Sequence, residues 1–391
     1  MPVGTALDAE TLLDRDALLE TAAARAGLGD FGDRWFIEPM TRYIDAANAE
    51  ARLTPQGAQG LREVIVKGLV SRLRMVDDLR RHPEIRDEQI DVAGIILGLP
   101  RTGSTIFHRL LAHAPGMTAI RWYEAQNFAP FPDEEPGNPE GRRAYARAMI
   151  DGWLAAAPEL ASIHPLDPEA PDEEILVLGQ MFVSTMMEGM AFIPSFARWL
   201  NDYDQSQGHE DLKMILQYLQ WQDPSRRGKR WVLKSPSNLP YTELAAKAFP
   251  DALLIMTHRD PLQTVPSYVS MQAALYKLSG SIPDHEVGAF WLGRLTDWMN
   301  RFETARARIG ENRFIDIDYR EVGREPLAQA RRVLDRMGIA ANAEVDAALA
   351  EFMAGNQREQ RPAHDYSLER FGLAEADVLA AFADYRARYL A

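Results

Sequence analysis

Cysteine is absent from all 391 residues, which excludes disulfides, thiol nucleophiles, cysteine-zinc sites and thiolate-held iron–sulfur clusters together. Long apolar runs are missing too. The longest, Val92 to Leu99, falls far short of the about 20 residues that a membrane span needs. Positive charge is scarce: 43 Lys and Arg stand against 57 Asp and Glu, a net charge of −14, which argues against a broad grip on nucleic acid or an anionic membrane. An anionic ligand would have to find a local basic pocket. Met1 to Gly4 leads into an acidic segment from Asp8 to Glu20 with no basic flank, so no signal peptide is expected and the chain reads as soluble and cytoplasmic.

What is present suffices for a sizeable core, with 46% of residues hydrophobic. Helical patterns run from Asp8 to Gly27, from Trp35 to Ala51, and through Leu61, Ile65, Leu69, Leu73 and Val76 to a stop before Pro83. The character changes at Val92, where a short β-branched run bounded by Gly98 and Pro100 predicts a strand buried on both faces. Similar runs occur at Trp231 to Leu233, Leu253 to Thr257 and Phe314 to Ile317, followed by helical patterns such as Pro261 to Ala274 and Pro326 to Met337. Strands alternating with helices predict an α/β fold: a parallel sheet flanked by helices, as one domain over 1–391. Within it, 1–90 forms a helical N-terminal extension and 91–391 the α/β core, with a helical insertion around 140–222. The proline- and acid-rich stretch from Ala125 to Pro171 reads as a solvated insertion. Helices are expected at Asp172 to Met190, at Asp211 to Gln222 and at the C-terminus, with Val378, Leu379, Phe382, Tyr385 and Tyr389 on one face.

Ligands in such sheets sit at the carboxyl ends of the strands. After the first strand comes Gly98-Leu-Pro-Arg-Thr-Gly-Ser-Thr105 and then a helix through Leu111. A strand, a glycine loop and a helix N-terminus make an anion cradle, because free backbone N–H groups and the helix dipole converge there. Compared with the spacing of a nucleoside-triphosphate loop, the glycines and Thr105 fit, but Ser104 stands where the phosphate-reaching lysine belongs, and Arg101 lies inside the loop instead. Lys234 sits at the end of a second candidate strand, after a basic run from Arg226 to Arg230 that reads as a solvated loop. Arg259 ends a third, where Asp260 and Pro261 look like an N-cap and first helical residue. Ser267 follows about 10 Å along that helix, within reach of an anion held by Arg259, and Pro266 removes one helix hydrogen bond just before it.

These segments together resemble the sulfotransferases that use 3′-phosphoadenosine-5′-phosphosulfate (PAPS), in the branch common in bacteria. Gly98 to Thr105 is similar to that family's 5′-phosphosulfate loop, and Arg259-Asp-Pro with Ser267 to its 3′-phosphate motif. Leu233-Lys-Ser-Pro236, Phe249-Pro-Asp251, Gly27-Leu-Gly-Asp-Phe-Gly32 and Tyr366-Ser-Leu-Glu-Arg-Phe-Gly372 extend the likeness over most of the chain. The resemblance implies a P-loop-like fold that binds PAPS without a metal and passes a sulfuryl group to an acceptor hydroxyl or amine. It assigns Arg101, Thr102, Gly103, Ser104 and Thr105 to the 5′-phosphosulfate, Arg259 and Ser267 to the 3′-phosphate, Tyr319 to the nucleotide, and Lys234 to charge that develops as the S–O bond breaks.

One position departs from the pattern: relatives often carry His four residues after the motif lysine, and here it is Asn238, which cannot serve as a general base. Glu124, in a Trp-Tyr-Glu segment similar to a family element, is the first candidate for that role and His164 the second. The alternative for Glu124 is a buried structural carboxylate paired with an arginine; for His164, a loop histidine bonded to backbone. His108 and His113 lack the companion glutamate of a zinc helix and read as packing and capping residues. His258 is a further candidate for anion contact. Arg361, His364 and Tyr366 resemble a family segment that closes over the site, although Arg361 reads first as a surface polar residue. Met181, Phe182, Met186, Met187 and Met190, with Phe128, Phe131, Tyr268, Met271 and Tyr276, read as core or as the wall of a pocket for an apolar alcohol or phenol. An ATP-dependent kinase or NTPase, and a nucleotide-binding protein without chemistry, are the alternative functions.

Overall fold

The computed structural model describes residues 12–135, 137–156, 166–356 and 367–390. Five strands, β1 (Val92–Gly98), β2 (Met117–Thr118), β3 (Arg230–Lys234), β4 (Leu253–His258) and β5 (Phe314–Asp318), form one sheet in the order β2-β3-β1-β4-β5. Every pairing is parallel. All seven residues of β1 are buried, as a continuous β-branched and leucine run requires of a central strand covered by helices on both faces. The register aligns the strand ends: Ile96 lies beside Lys234, Gly98 beside Thr257, and His258 beside Asp318. Every loop leaving a carboxyl end therefore emerges along one edge of the sheet.

The N-terminal helices α1 (Arg15–Ala26), α2 (Ile37–Glu50) and α3 (Pro55–Arg81) start and stop where local chemistry dictates. Asp14 caps α1 by accepting the Ala17 N–H, and Gly27 ends it in the left-handed region at φ 66°. Thr54 caps α3, with Pro55 at its first position. Their apolar faces join a cluster of buried side chains that continues into β1, β3 and β4 through Leu97, Trp231 and Leu254. The next helices are α4 (Ser104–Ala112), α5 (Trp122–Gln126) and α6 (Glu140–Ala156). Among the described residues no helix is long and apolar enough to cross a membrane.

One strand lies beyond the sequence reading, and three expectations change. β2 is only two residues long and offers no period to detect. The stretch Asp172 to Met190 is not one helix but two five-residue turns, Ile175–Gly179 and Met186–Met190. Between them the Ser184 hydroxyl donates to Ile175 O (3.0 Å) and accepts from Met186 N–H (3.0 Å), and Phe182 takes φ 62°. Such hydroxyl bonds compete with helix continuation. The insertion after Ala125 is not simply solvated: Arg142 and Glu134 form a buried ion pair at 2.8 Å, and Phe128, Ala146 and Ile150 are buried. The C-terminal helix breaks at Phe382 into Glu375–Ala381 and Ala383–Tyr389. Leu379 stays 38% exposed while Val378, Phe382 and Tyr385 are buried.

Candidate active site

The site begins where β1 meets β4. Gly98 has φ 140°, and a Cβ there would lie 2.3 Å from Thr257 Oγ1 and 2.7 Å from Thr257 O, so only glycine lets the two strand ends approach. Arg101 follows at φ 71°, a left-handed conformation that costs a non-glycine residue about 1–2 kcal/mol and is typical of functional loops. Gly103, at φ 81°, is the N-cap of α4. The first-turn amides of Ser104 and Thr105 belong to the group that has no partner within a helix, which is the anion-binding end.

Three of the other predicted anion-binding residues converge on this loop. Arg259 Nη1 donates to the Arg101 carbonyl (2.8 Å), and Arg101 Nε donates to Ser267 Oγ (3.2 Å). The Arg259 guanidinium lies 4.2 Å from the centre of the Tyr319 ring, a cation–π contact that holds both planes. A Cβ on Gly103 would come within 2.7 Å of that same ring. Arg101, the stretch that carries Arg259 and Ser267, and Tyr319 come from three separate segments, and two arginines stand together in an otherwise acidic protein. Asp260 accepts the Leu262 N–H (3.0 Å), confirming it as the cap of the helix Pro261–Ser279 that carries Ser267. Behind Arg259, Tyr385 OH accepts the Arg259 N–H (3.3 Å) and contacts His258 Nδ1 (3.2 Å), while His258 Nε2 meets Asp316 (2.7 Å). His258 is thus committed to the brace behind the loop. Burial opposes the charge of Asp316, but hydrogen bonds from Arg306 and His258 outweigh it and hold this carboxyl far below the usual carboxylate range. Thr102 points inward, its hydroxyl donating to Leu99 O (2.8 Å) and meeting Thr257 Oγ1 (2.6 Å), so its side chain fastens the turn to β4.

On the other side of β1, Lys234 is 1% exposed. Its Nζ donates to Thr105 Oγ1 (3.1 Å) and forms an ion pair with Glu173. The neighbouring Glu174 is fully buried and accepts the Lys234 backbone N–H (2.9 Å) with one oxygen and the Asn238 side-chain amide with the other. Burial pushes the Glu174 carboxyl up to about 7. Sequence reasoning passed over both glutamates because Asp172-Glu173-Glu174 looks like any acidic surface run. The one available signal was the proline-flanked break that precedes it, at Pro168 and Pro171. His108 is buried with Nε2 at 3.1 Å from Val232 O, and burial, then the nearby Lys234 charge, pull it down to about 3, as befits a neutral packing residue.

Glu124 lies elsewhere in its bonding. Arg226 Nη2 donates to both of its oxygens (2.7 and 2.9 Å), the Arg121 N–H donates to Oε2 (2.8 Å), and Tyr123 OH donates to Oε1 (3.2 Å). Burial works against its charge, but Arg226 and Arg121 prevail and hold the carboxyl below its ordinary value. A base that must accept a proton is poorly served by three donor groups. Arg226 is itself 1% exposed and buried over Trp231, so the basic run is solvated only in part: Arg227 stays exposed while pairing with Glu88, and Arg230 pairs with Asp91. His164, Arg361, His364 and Tyr366 lie outside the described residues. Among those described, no group of three or more metal-ligating side chains occurs.

Of the apolar side chains considered for a pocket, Phe182, Met186 and Met187 line, with Ile65 and Leu176, a narrow cleft whose free volume is only about 20 Å³. Phe128, Met181, Tyr268 and Tyr276 belong to the core cluster, and Tyr276 is fixed there by its hydroxyl, which donates to Glu188 O (2.7 Å).

Comparison with known proteins agrees with this geometry. The sequence model of a family described as the sulfotransferase family matches residues 95–343. The chain is 26% identical over 121 residues to omega-hydroxy-beta-dihydromenaquinone-9 sulfotransferase Stf3 of Mycobacterium bovis, a match that covers 29% of this chain and only 30% of that protein. Among solved structures, sulfotransferase STF1 of Mycobacterium tuberculosis superposes with a TM-score of 0.84 at 27% identity, covering 96% of this chain and 100% of that one. Sulfotransferase STF9 of Mycobacterium avium gives 0.86 at 26% identity, covering 98% of each.

Proposed function

The chain belongs to the sulfotransferase family, and on that premise we propose that it moves a sulfuryl group from PAPS to the hydroxyl of a small or medium apolar acceptor. The observation that carries the reading is the convergence of Arg101, Arg259, Ser267 and Tyr319 on one face of the Gly98–Thr105 loop, with Lys234 bonded to Thr105 on the other. This set fits the donor: the amides at the start of α4 and Arg101 suit its 5′ end, and Arg259 with Ser267 its 3′-phosphate. PAPS supplies an activated sulfuryl group, and its transfer leaves 3′,5′-ADP.

The chain's own residues divide the work. Lys234 neutralises negative charge as it gathers on the oxygens in transit, and being buried it does so where a charge counts for more than in water. Glu173, 16% exposed and paired with that lysine, takes the proton from the acceptor hydroxyl, the role that Asn238 cannot fill. Glu174 fixes Lys234 from behind through its backbone, and Glu124 with Arg226 holds the α5 segment in place. The name of Stf3 gives an omega-hydroxy compound as acceptor, which accords with an apolar alcohol here.

Calorimetric titration tests this. 3′,5′-ADP should bind at least about tenfold more tightly than AMP, a gain of about 1.4 kcal/mol, without metal, and Arg259→Ala should remove most of the difference. Glu173→Gln should keep that affinity and lower kcat by about 10²–10⁴. Tighter binding of Mg-ATP, or no preference for the 3′-phosphate, refutes the proposal.

A further inference from the structure

The last helix, Ala383–Tyr389, carries no motif, yet it meets the candidate active site through consecutive residues. A spacing of four puts Tyr385 and Tyr389 on one face of it. His258, the last residue of β4, lies against both rings: Tyr389 stacks on the imidazole at 4.2 Å with 18° between the planes, and Tyr385 stands at 5.6 Å. The helix is pinned from its other side as well. Arg388 pairs with Glu303 (2.6 Å) and Glu311 (2.9 Å), and Arg306, itself paired with Asp316 and Glu311, places its guanidinium 5.5 Å from the centre of the Tyr389 ring.

What the helix holds is the backbone of Arg259. This residue lies between two regular elements, directly after β4 and before the helix Pro261–Ser279, where a side chain from elsewhere can serve its backbone groups. The buried Tyr385 hydroxyl meets both of them, accepting the N–H at 3.3 Å and lying 3.4 Å from the carbonyl oxygen. The next residue on each side is joined too: Arg386 forms an ion pair with Asp260, whose carboxylate caps the helix that carries Ser267. Two successive residues thus fasten two others that stand 126 positions earlier in the chain. The Arg259 side chain starts from that clamped backbone and ends against the Arg101 carbonyl and the Tyr319 ring. A long side chain magnifies any rotation at its own backbone, so the clamp governs where the guanidinium points.

We propose that Tyr385 is a positioning residue for recognition of the 3′-phosphate, with Arg386 as its support: the last helix fixes the Arg259 backbone and the start of the Ser267 helix so that both groups face one phosphate. Tyr385 acts through Arg259 and not on the nucleotide. An arginine held in place beforehand loses less freedom on binding, and that gain reaches only ligands carrying the group the arginine meets. The inference rests on the sulfotransferase reading, which gives Arg259 and Ser267 to that phosphate.

Tyr385→Phe keeps the ring beside His258 and removes the hydroxyl. Calorimetry should show its affinity for 3′,5′-ADP falling by about three- to tenfold, the effect of one modest hydrogen bond, while its affinity for AMP stays the same. Equal losses for the two nucleotides would reveal a merely structural role, and an undiminished preference for 3′,5′-ADP would reveal none. Either result overturns the proposal and leaves the sulfotransferase reading standing. A second measurement needs no variant, because coupling between sites is reciprocal. In the unaltered protein at saturation, 3′,5′-ADP should slow amide hydrogen exchange across Ala383–Tyr389 more than AMP does, by a similar factor, and equal exchange under the two ligands also overturns the proposal. If the unaltered protein binds 3′,5′-ADP no better than AMP, the sulfotransferase reading falls and takes this inference with it.

Discussion

Replacing Glu174 by Gln should make the protein more stable at pH 8 than at pH 5, relative to the unaltered chain. Glu174 is fully buried, and burial raises its carboxyl from an ordinary 4.5 to about 7. The folded state therefore binds this proton more tightly than the unfolded state does. The resulting stabilisation is complete below pH 4.5 and fades as the pH rises towards 7. At about 1.4 kcal/mol for each tenfold change in proton affinity, the ceiling on the penalty above pH 7 is about 3 kcal/mol, of which about 2.5 develops between pH 5 and pH 8. Glutamine removes the titration and keeps the shape. One of the two bonds that Glu174 accepts, from Lys234 N–H and the Asn238 amide, must be remade by turning Asn238 over. That is a pH-independent cost of about 1 kcal/mol. With an unfolding entropy of about 2.1 cal/mol/K per residue, each kcal/mol moves the Tm of a chain this size by about 1 °C. Scanning calorimetry of both proteins from pH 5 to pH 8 should show the Tm difference shifting by about 3 °C in favour of Glu174→Gln. Parallel Tm curves over that range would refute the claim that this carboxyl is forced towards neutrality by its burial.

Two further outcomes follow from the same geometry. Arg226→Met should destabilise the fold by about 3–5 kcal/mol, because it strands the buried charge of Glu124, and adding Glu124→Gln should restore part of the loss; urea midpoints measure both, and an additive pair of losses would contradict the pairing. Gly103→Ala puts a Cβ within 2.7 Å of the Tyr319 ring at φ 81°. It should weaken 3′,5′-ADP binding by about tenfold or more, read by calorimetry, and an unchanged affinity would remove Gly103 and Tyr319 from the site.

Much of the molecule was settled by rules that act over a few residues. Asp14, Thr54 and Asp260 cap helices because a side-chain oxygen can reach an amide two or three positions on. The β-branched run at Val92 could only be a central strand, and a parallel sheet sends every following loop to one edge, so the cations Arg101, Lys234 and Arg259 could be placed together from the sequence alone. The 26-residue helix Asp284–Ile309 was legible as well, through Trp291, Leu295, Trp298 and Phe302, although it carries no motif and drew no reading. Tertiary structure alone decided which charges meet. Glu173 reaches Lys234 across 61 residues and Glu124 reaches Arg226 across 102, so no local pattern separates these acids from the many on the surface. The same holds for the inward turn of Thr102. Local chemistry fixes backbone conformation because its partners are near in sequence, whereas the charge state and reach of a buried side chain depend on neighbours that only the folded chain brings within a few ångströms.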